Sequence, residues 1–152
     1  MNFEFDNIKT ASAIPGAAAM IETFRAIGYS LETAVADIVD NSISASAKNV
    51  WINRIWKGGD SIVTIRDDGH GMSGDEIIQA MRPGAQNPLI ERSATDLGRF
   101  GLGLKTASFS QCRTLTVLSK IQGQSPAFWP WSLDHVPQSD RWALIHVPPE
   151  VF

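Results

Sequence analysis

One cysteine and one tyrosine stand in 152 residues. A lone thiol, Cys112, closes no internal disulfide and builds no cysteine zinc site, and it suits a reducing compartment. No apolar run nears the ~20 residues that a membrane-crossing helix needs. The opening Met1-Asn2-Phe3-Glu4-Phe5-Asp6 is polar and acidic, unlike a secretion signal. Positive charge is not in excess either: 13 Lys and Arg face 16 Asp and Glu, and the cations are scattered. The basic stripe of a domain that binds nucleic acid directly is therefore missing. Internal repeats and low-complexity tracts are absent too. What is present is a chain 43% hydrophobic, enough for one packed domain and too much for a disordered one. The expectation is a soluble, cytoplasmic single domain over 1–152, without membrane contact, whose task is the size of a nucleotide or small substrate.

Glycine and proline punctuate the chain. Residues 15–27 open on Pro15 and carry Met20, Ile21, Phe24 and Ile27 at helical spacing, with Gly28 as the stop. Ser30 suits the N-cap of a second helix over about 31–47, with Glu32 in its first turn. Residues 49–56 and 61–66 alternate around Lys57-Gly58-Gly59-Asp60 and predict a β-hairpin. Ser73-Gly74-Asp75-Glu76 is a capping box ahead of Ile77, Ile78 and Met81. Residues 82–97 hold no sustained period and predict a long loop. A helix over 100–110 and strands over 113–121, 128–133 and 142–147 complete the order, with Pro130 placing its strand at an edge or bulge. The class is α+β: a two-layer sandwich with helices on one face of a mixed, mostly antiparallel sheet.

Three stretches carry chemistry. On the second helix Leu31, Ala34, Val35, Ile38, Ser42 and Ala45 form an apolar stripe, while Thr33, Asp37, Asn41 and Ser44 share the other face, with Asp40 beside them. A carboxylate and an amide oxygen four residues apart can orient a water and ligate a hard cation such as magnesium. The same pattern also describes the wet face of any amphipathic helix. Next, Asp67-Asp68-Gly69-His70-Gly71-Met72 follows the hairpin's second strand. Asp67 keeps phase with Val63 and Ile65, so its carboxylate needs a partner at the end of an apolar row. The exocyclic amine of a purine would serve, because an ionised Asp only accepts. Gly69 and Gly71 let the backbone approach a ligand, and a plain Asp-Gly turn has the same composition.

Last, Gly98-Arg99-Phe100-Gly101-Leu102-Gly103-Leu104-Lys105-Thr106 reads as backbone amides feeding a helix N-terminus, a cradle for phosphate. Leu104 separates Gly103 from Lys105, so it is not a P-loop, and the order GxxGxG is not a dinucleotide fingerprint. A flexible glycine hinge remains the alternative.

Acid-x-x-x-Asn on a helix, a strand ending in DxGxG, a long loop, then GxxGxG opening a helix resembles the GHKL superfamily. These Bergerat-fold ATPases include DNA gyrase B subunits, the ninety-kilodalton heat-shock chaperone, sensor histidine kinases and MutL mismatch-repair proteins. Residues 36–45 are similar to the N-box of MutL and the microrchidia ATPases, and 98–105 look most like the microrchidia and bacterial microrchidia-like branch. The resemblance spans about 15–120.

It implies a cofactor of ATP or ADP with magnesium, Asn41 as the metal ligand, and Asp37 as the group that polarises the attacking water. Asp67 would take the adenine amine, with Ala45, Gly69, Gly71 and Met72 around the base. Gly98, Gly101, Leu102, Gly103 and Lys105 would meet the phosphates, and 82–97 would be an ATP lid. Lid closure and nucleotide-dependent homodimerisation would power a larger machine through further C-terminal domains. Two departures accompany it. Asp37 is one methylene shorter than the family's usual Glu, which shortens its reach to a water and leaves a nucleotide-binding switch without useful hydrolysis as the alternative. The family's Gly-Thr strand and transducer domain are not seen before Phe152, which implies C-terminal truncation. A sensor-kinase reading lacks an upstream phospho-acceptor helix. The five tryptophans, Cys112, His135 and His146 read as structural, and His70 as a loop-surface histidine.

Overall fold

The computed structural model of the chain describes residues 11, 13–84, 103–136 and 141–145. The first helix, α1 (Ala17–Arg25), begins after Gly16 and turns Ala17, Ile21 and Phe24 inward. In α2 (Leu31–Ser44) the Ser30 hydroxyl accepts the Thr33 N–H at 3.2 Å, the cap that its position promised. Strand β1 (Val50–Ile55) runs through a 3-10 turn at Gly58–Asp60 into antiparallel β2 (Ile62–Asp67), with Ile52 opposite Ile65 and Val50 opposite Asp67.

Helix α3 (Gly74–Met81) carries the full capping box. The Ser73 hydroxyl accepts the Glu76 N–H, and the Glu76 carboxylate accepts the Ser73 N–H at 2.7 Å. Ser73→Ala should remove about 1 kcal/mol of stability, measured as a lower urea midpoint at unchanged slope. Beyond it lie α4 (Gly103–Gln111), β3 (Thr114–Ser119) and antiparallel β4 (Ala127–Ser132).

The core draws on most of these elements. Ala17 and Ile21 of α1, Ile77 and Met81 of α3, and Phe109 of α4 close on Trp131, Leu133 and Val136. Phe109 meets Trp131 edge-on with centroids 5.0 Å apart, and Trp142 meets the same indole at 6.1 Å. The α+β class and antiparallel pairing hold.

Among the described residues the strands pair as two two-stranded ladders, β1–β2 and β3–β4. The loop after β2 meets the end of β3, where the Met72 N–H donates to the Ser119 hydroxyl at 2.8 Å and Gly71 lies against Lys120. Helices cover β3–β4, whereas β1–β2 meets them mainly where β2 touches α2, so Ile52 and Val63 stay about half exposed. The apolar stripe of α2 is likewise only partly used: Ala34 and Ser42 are buried, and Leu31 is not.

The strand expected over 142–147 is irregular in its described part, 142–145. The Ile145 N–H donates to the Pro130 carbonyl at 3.0 Å, and Pro130 has no N–H to return. Among the described residues no helix is long and apolar enough to cross a membrane.

Candidate functional site

Helix α2 is the element against which the other motifs gather. Asp37, Asn41 and Ala45 lie four residues apart along it and so share one face. At the first of them α4 begins: a Cβ added to Gly103 would lie 3.7 Å from the Asp37 carboxylate. At the last, the His70 N–H donates to the Ala45 carbonyl at 3.1 Å. Gly69 presses on the same residue, since a Cβ there would fall 2.7 Å from the Ala45 Cβ and 2.8 Å from its carbonyl oxygen. Asn41, between these ends, is exposed.

The strand end is tied to α2 by a contact that the sequence only half announced. Ser42, counted as part of an apolar stripe, is 3% exposed and donates its hydroxyl to Asp67 Oδ2 at 3.1 Å. The other Asp67 oxygen accepts the Gly69 N–H at 2.9 Å. Asp67 itself is exposed and Val63 is about half exposed, so the row is not buried as its phase implied; the carboxylate is nevertheless held by a serine on the neighbouring helix and by its own loop. The phase argument found neither the exposure nor the donor; a hydroxyl within an apolar helical row was the available signal for the donor.

Asp68 has a structural job. It accepts the Lys48 and Asn49 N–H groups and the Asn49 carboxamide, pinning the start of β1 to the loop after β2. The Asn49 bonds hold its carboxyl below the usual range. Met72 turns its side chain against the core. Gly71 has φ +75° and passes so close to Lys120 that an added Cβ would lie 2.7 Å from that carbonyl carbon.

An open hollow of about 620 Å³ lies beside the loop, lined by Ala45, Ser46, Gly69, His70, Lys120 and Ile121 among others. Of the described residues proposed to meet a ligand, Ala45 and Gly69 line it. Asp37 and Asn41 of α2, and Asp67 at the end of β2, do not line that hollow.

Lys105 stands apart from the line. It is 2% exposed, and its ammonium donates to the Ala80 carbonyl at 2.7 Å and the Arg82 carbonyl at 3.2 Å. Burial lowers its pKa to about 8. Expected at a phosphate, the cation instead meets unpaired carbonyls at the end of α3, because the first turn of α4 packs there. Gly98, Gly101 and Leu102, and the lid residues 85–97, lie outside the described residues.

Comparison with known proteins adds the family. A family profile described as histidine kinase-, DNA gyrase B-, and HSP90-like ATPase matches residues 29–152. The chain is 31% identical over 91 residues to ATPase morc-1 of Caenorhabditis elegans, covering 60% of this chain and 10% of that protein. It is 34% identical over 97 residues to the DNA mismatch repair protein MutL of Thermus aquaticus, 62% of this chain and 17% of the relative. With MutL of Rhizorhabdus wittichii the identity is 32% over 106 residues, 68% of this chain and again 17% of the relative. The chain thus spans less than a fifth of the length of these curated relatives.

Proposed function

Because the chain belongs to the histidine kinase-, DNA gyrase B- and HSP90-like ATPase family, we propose that it binds magnesium with ATP or ADP along α2 and hydrolyses ATP slowly. The observation that supports this most is the Asp37–Asn41–Ala45 line, with Gly103 at one end and Gly69 and His70 at the other. A nucleotide laid along that line has its phosphates near the start of α4 and its base near the loop after β2. Asp67, held by Ser42 and Gly69, keeps lone pairs for the adenine amine. Ala45, Gly69, Gly71 and Met72 bound the base. Gly103, with Gly98, Gly101 and Leu102, offers backbone to the phosphates.

The donor set suits magnesium. Asn41 supplies one neutral oxygen on an exposed helix face, and among the described residues no group of three or more His, Cys, Asp or Glu converges on a metal. A cation that takes most of its ligands from phosphate and water needs little more from protein. When bound, it neutralises phosphate charge. Asp37, beside Gly103, orients the attacking water as hydrogen-bond acceptor. In this reading residues 82–97 close over the nucleotide, the loaded form pairs with a second copy, and the pair acts through further domains of a longer protein.

Calorimetric titration with Mg-ATP and Mg-ADP tests it. The wild type should bind both. Asn41→Ala should weaken magnesium-dependent binding about tenfold, the loss of one charge-assisted contact. Asp37→Ala should keep binding and lose phosphate release. A folded wild type that binds neither nucleotide at millimolar concentration overturns the proposal. Binding without phosphate release in the wild type leaves a nucleotide switch, the outcome that the short Asp37 arm favours.

A further inference from the structure

We propose that Lys105 is a positioning residue: its ammonium clasps the first turn of α4 to the last turn of α3 and thereby keeps Gly103 facing Asp37. The last carbonyls of any helix lack helical partners, and the end of the helix dipole adds negative potential there. Helix α3 has no basic residue in its last turn to answer them. Pro83, two residues past its end, has no N–H and cannot extend the ladder. Lys105 meets the Ala80 and Arg82 carbonyls from α4, across 25 and 23 residues of sequence.

The side chain is 2% exposed, so solvent does not take over this task. An ammonium buried to that degree persists only with acceptors in place, and the two carbonyls are those acceptors. The remaining faces of α4 pack on α2 and α1. Its first residue, Gly103, sits across from Asp37. Loosening the Lys105 clasp therefore frees the start of α4 from α3 and shifts Gly103 along α2. The effect on nucleotide rests on the function proposed above; the clasp itself does not.

The test uses the full chain. Without nucleotide, Lys105→Met should raise amide hydrogen exchange over residues 78–84 by about tenfold or more, leaving the β3–β4 ladder unchanged. Affinities for Mg-ATP and Mg-ADP should fall by the same factor.

Should Lys105→Met not fold, nitrogen-15 spectra of the wild-type lysine ammonium decide the matter. A slowly exchanging signal, present without nucleotide and unmoved by Mg-ATP, supports the clasp. Unchanged exchange over 78–84 with a loss confined to ATP, or an ammonium signal that appears only with ATP, overturns it and returns Lys105 to the phosphates. A wild type that binds no nucleotide sinks the functional reading, while the exchange result still decides the clasp.

Discussion

Gly71→Ala should cost about 3 kcal/mol or more of folding stability, from two causes that add at one residue. The backbone there has φ +75°, a left-handed conformation that a side chain disfavours by roughly 1–2 kcal/mol. The new Cβ would also press on the Lys120 carbonyl group and lie 3.2 Å from the Ile121 nitrogen. These obstacles are backbone, so no rotamer change relieves them, and overpacking of this kind costs about 1–3 kcal/mol.

Gly58 supplies the control, with φ +58° and nothing within 4 Å of an added Cβ. Gly58→Ala should lose only the conformational part. Urea unfolding of both variants separates the causes. A Gly71→Ala midpoint equal to that of Gly58→Ala would show that the loop does not approach Lys120. The effect reaches the site as well, because the next residue, Met72, donates to Ser119 at the end of β3.

Asp67→Asn should lower Mg-ATP affinity about a hundredfold while leaving the fold nearly intact. The variant keeps shape and size, and the Ser42 hydroxyl can reverse its role from donor to acceptor. What changes is the edge offered to the base: an acceptor-only carboxylate becomes a group that also presents N–H. An adenine amine meets a donor there and is rejected.

Inosine triphosphate carries a carbonyl in place of that amine, so it supplies the sharper measurement. Wild type should prefer ATP to inosine triphosphate, and Asp67→Asn should shrink or reverse the preference. Equal losses for both nucleotides would mean that Asp67 acts through its bonds to Ser42 and Gly69, without reading the base.

Local structure was legible wherever its cause was local. Ser30 and Ser73 cap helices within three residues of themselves, so both helix starts appear where the sequence places them. The hairpin register follows from alternation around one tight turn. Long-range packing was less legible. An apolar stripe on α2 predicts burial of Leu31 and Ile38, yet the stripe is wider than the surface α4 and β2 offer it, and Leu31 stays exposed. Alternation in β1 and β2 states which residues share a face and not whether anything covers it. Trp56, expected in the first strand but lying just past the end of β1, is 83% exposed.

The site divides in the same way. Spacing four apart suffices to put Asp37, Asn41 and Ala45 on one face, and glycine order marks where backbone comes close. The sequence by itself determined which residue types are present, which local elements they form, and the family to which residues 29–152 belong. Only the tertiary structure decided the partners. The buried Ser42 hydroxyl goes to Asp67, Gly103 rather than a longer side chain faces Asp37, and the Lys105 ammonium goes to the carbonyls of α3. The physical reason is that a buried polar group must be satisfied by whichever group packing brings within about 3 Å, and that neighbour is set by helices meeting across tens of residues of chain.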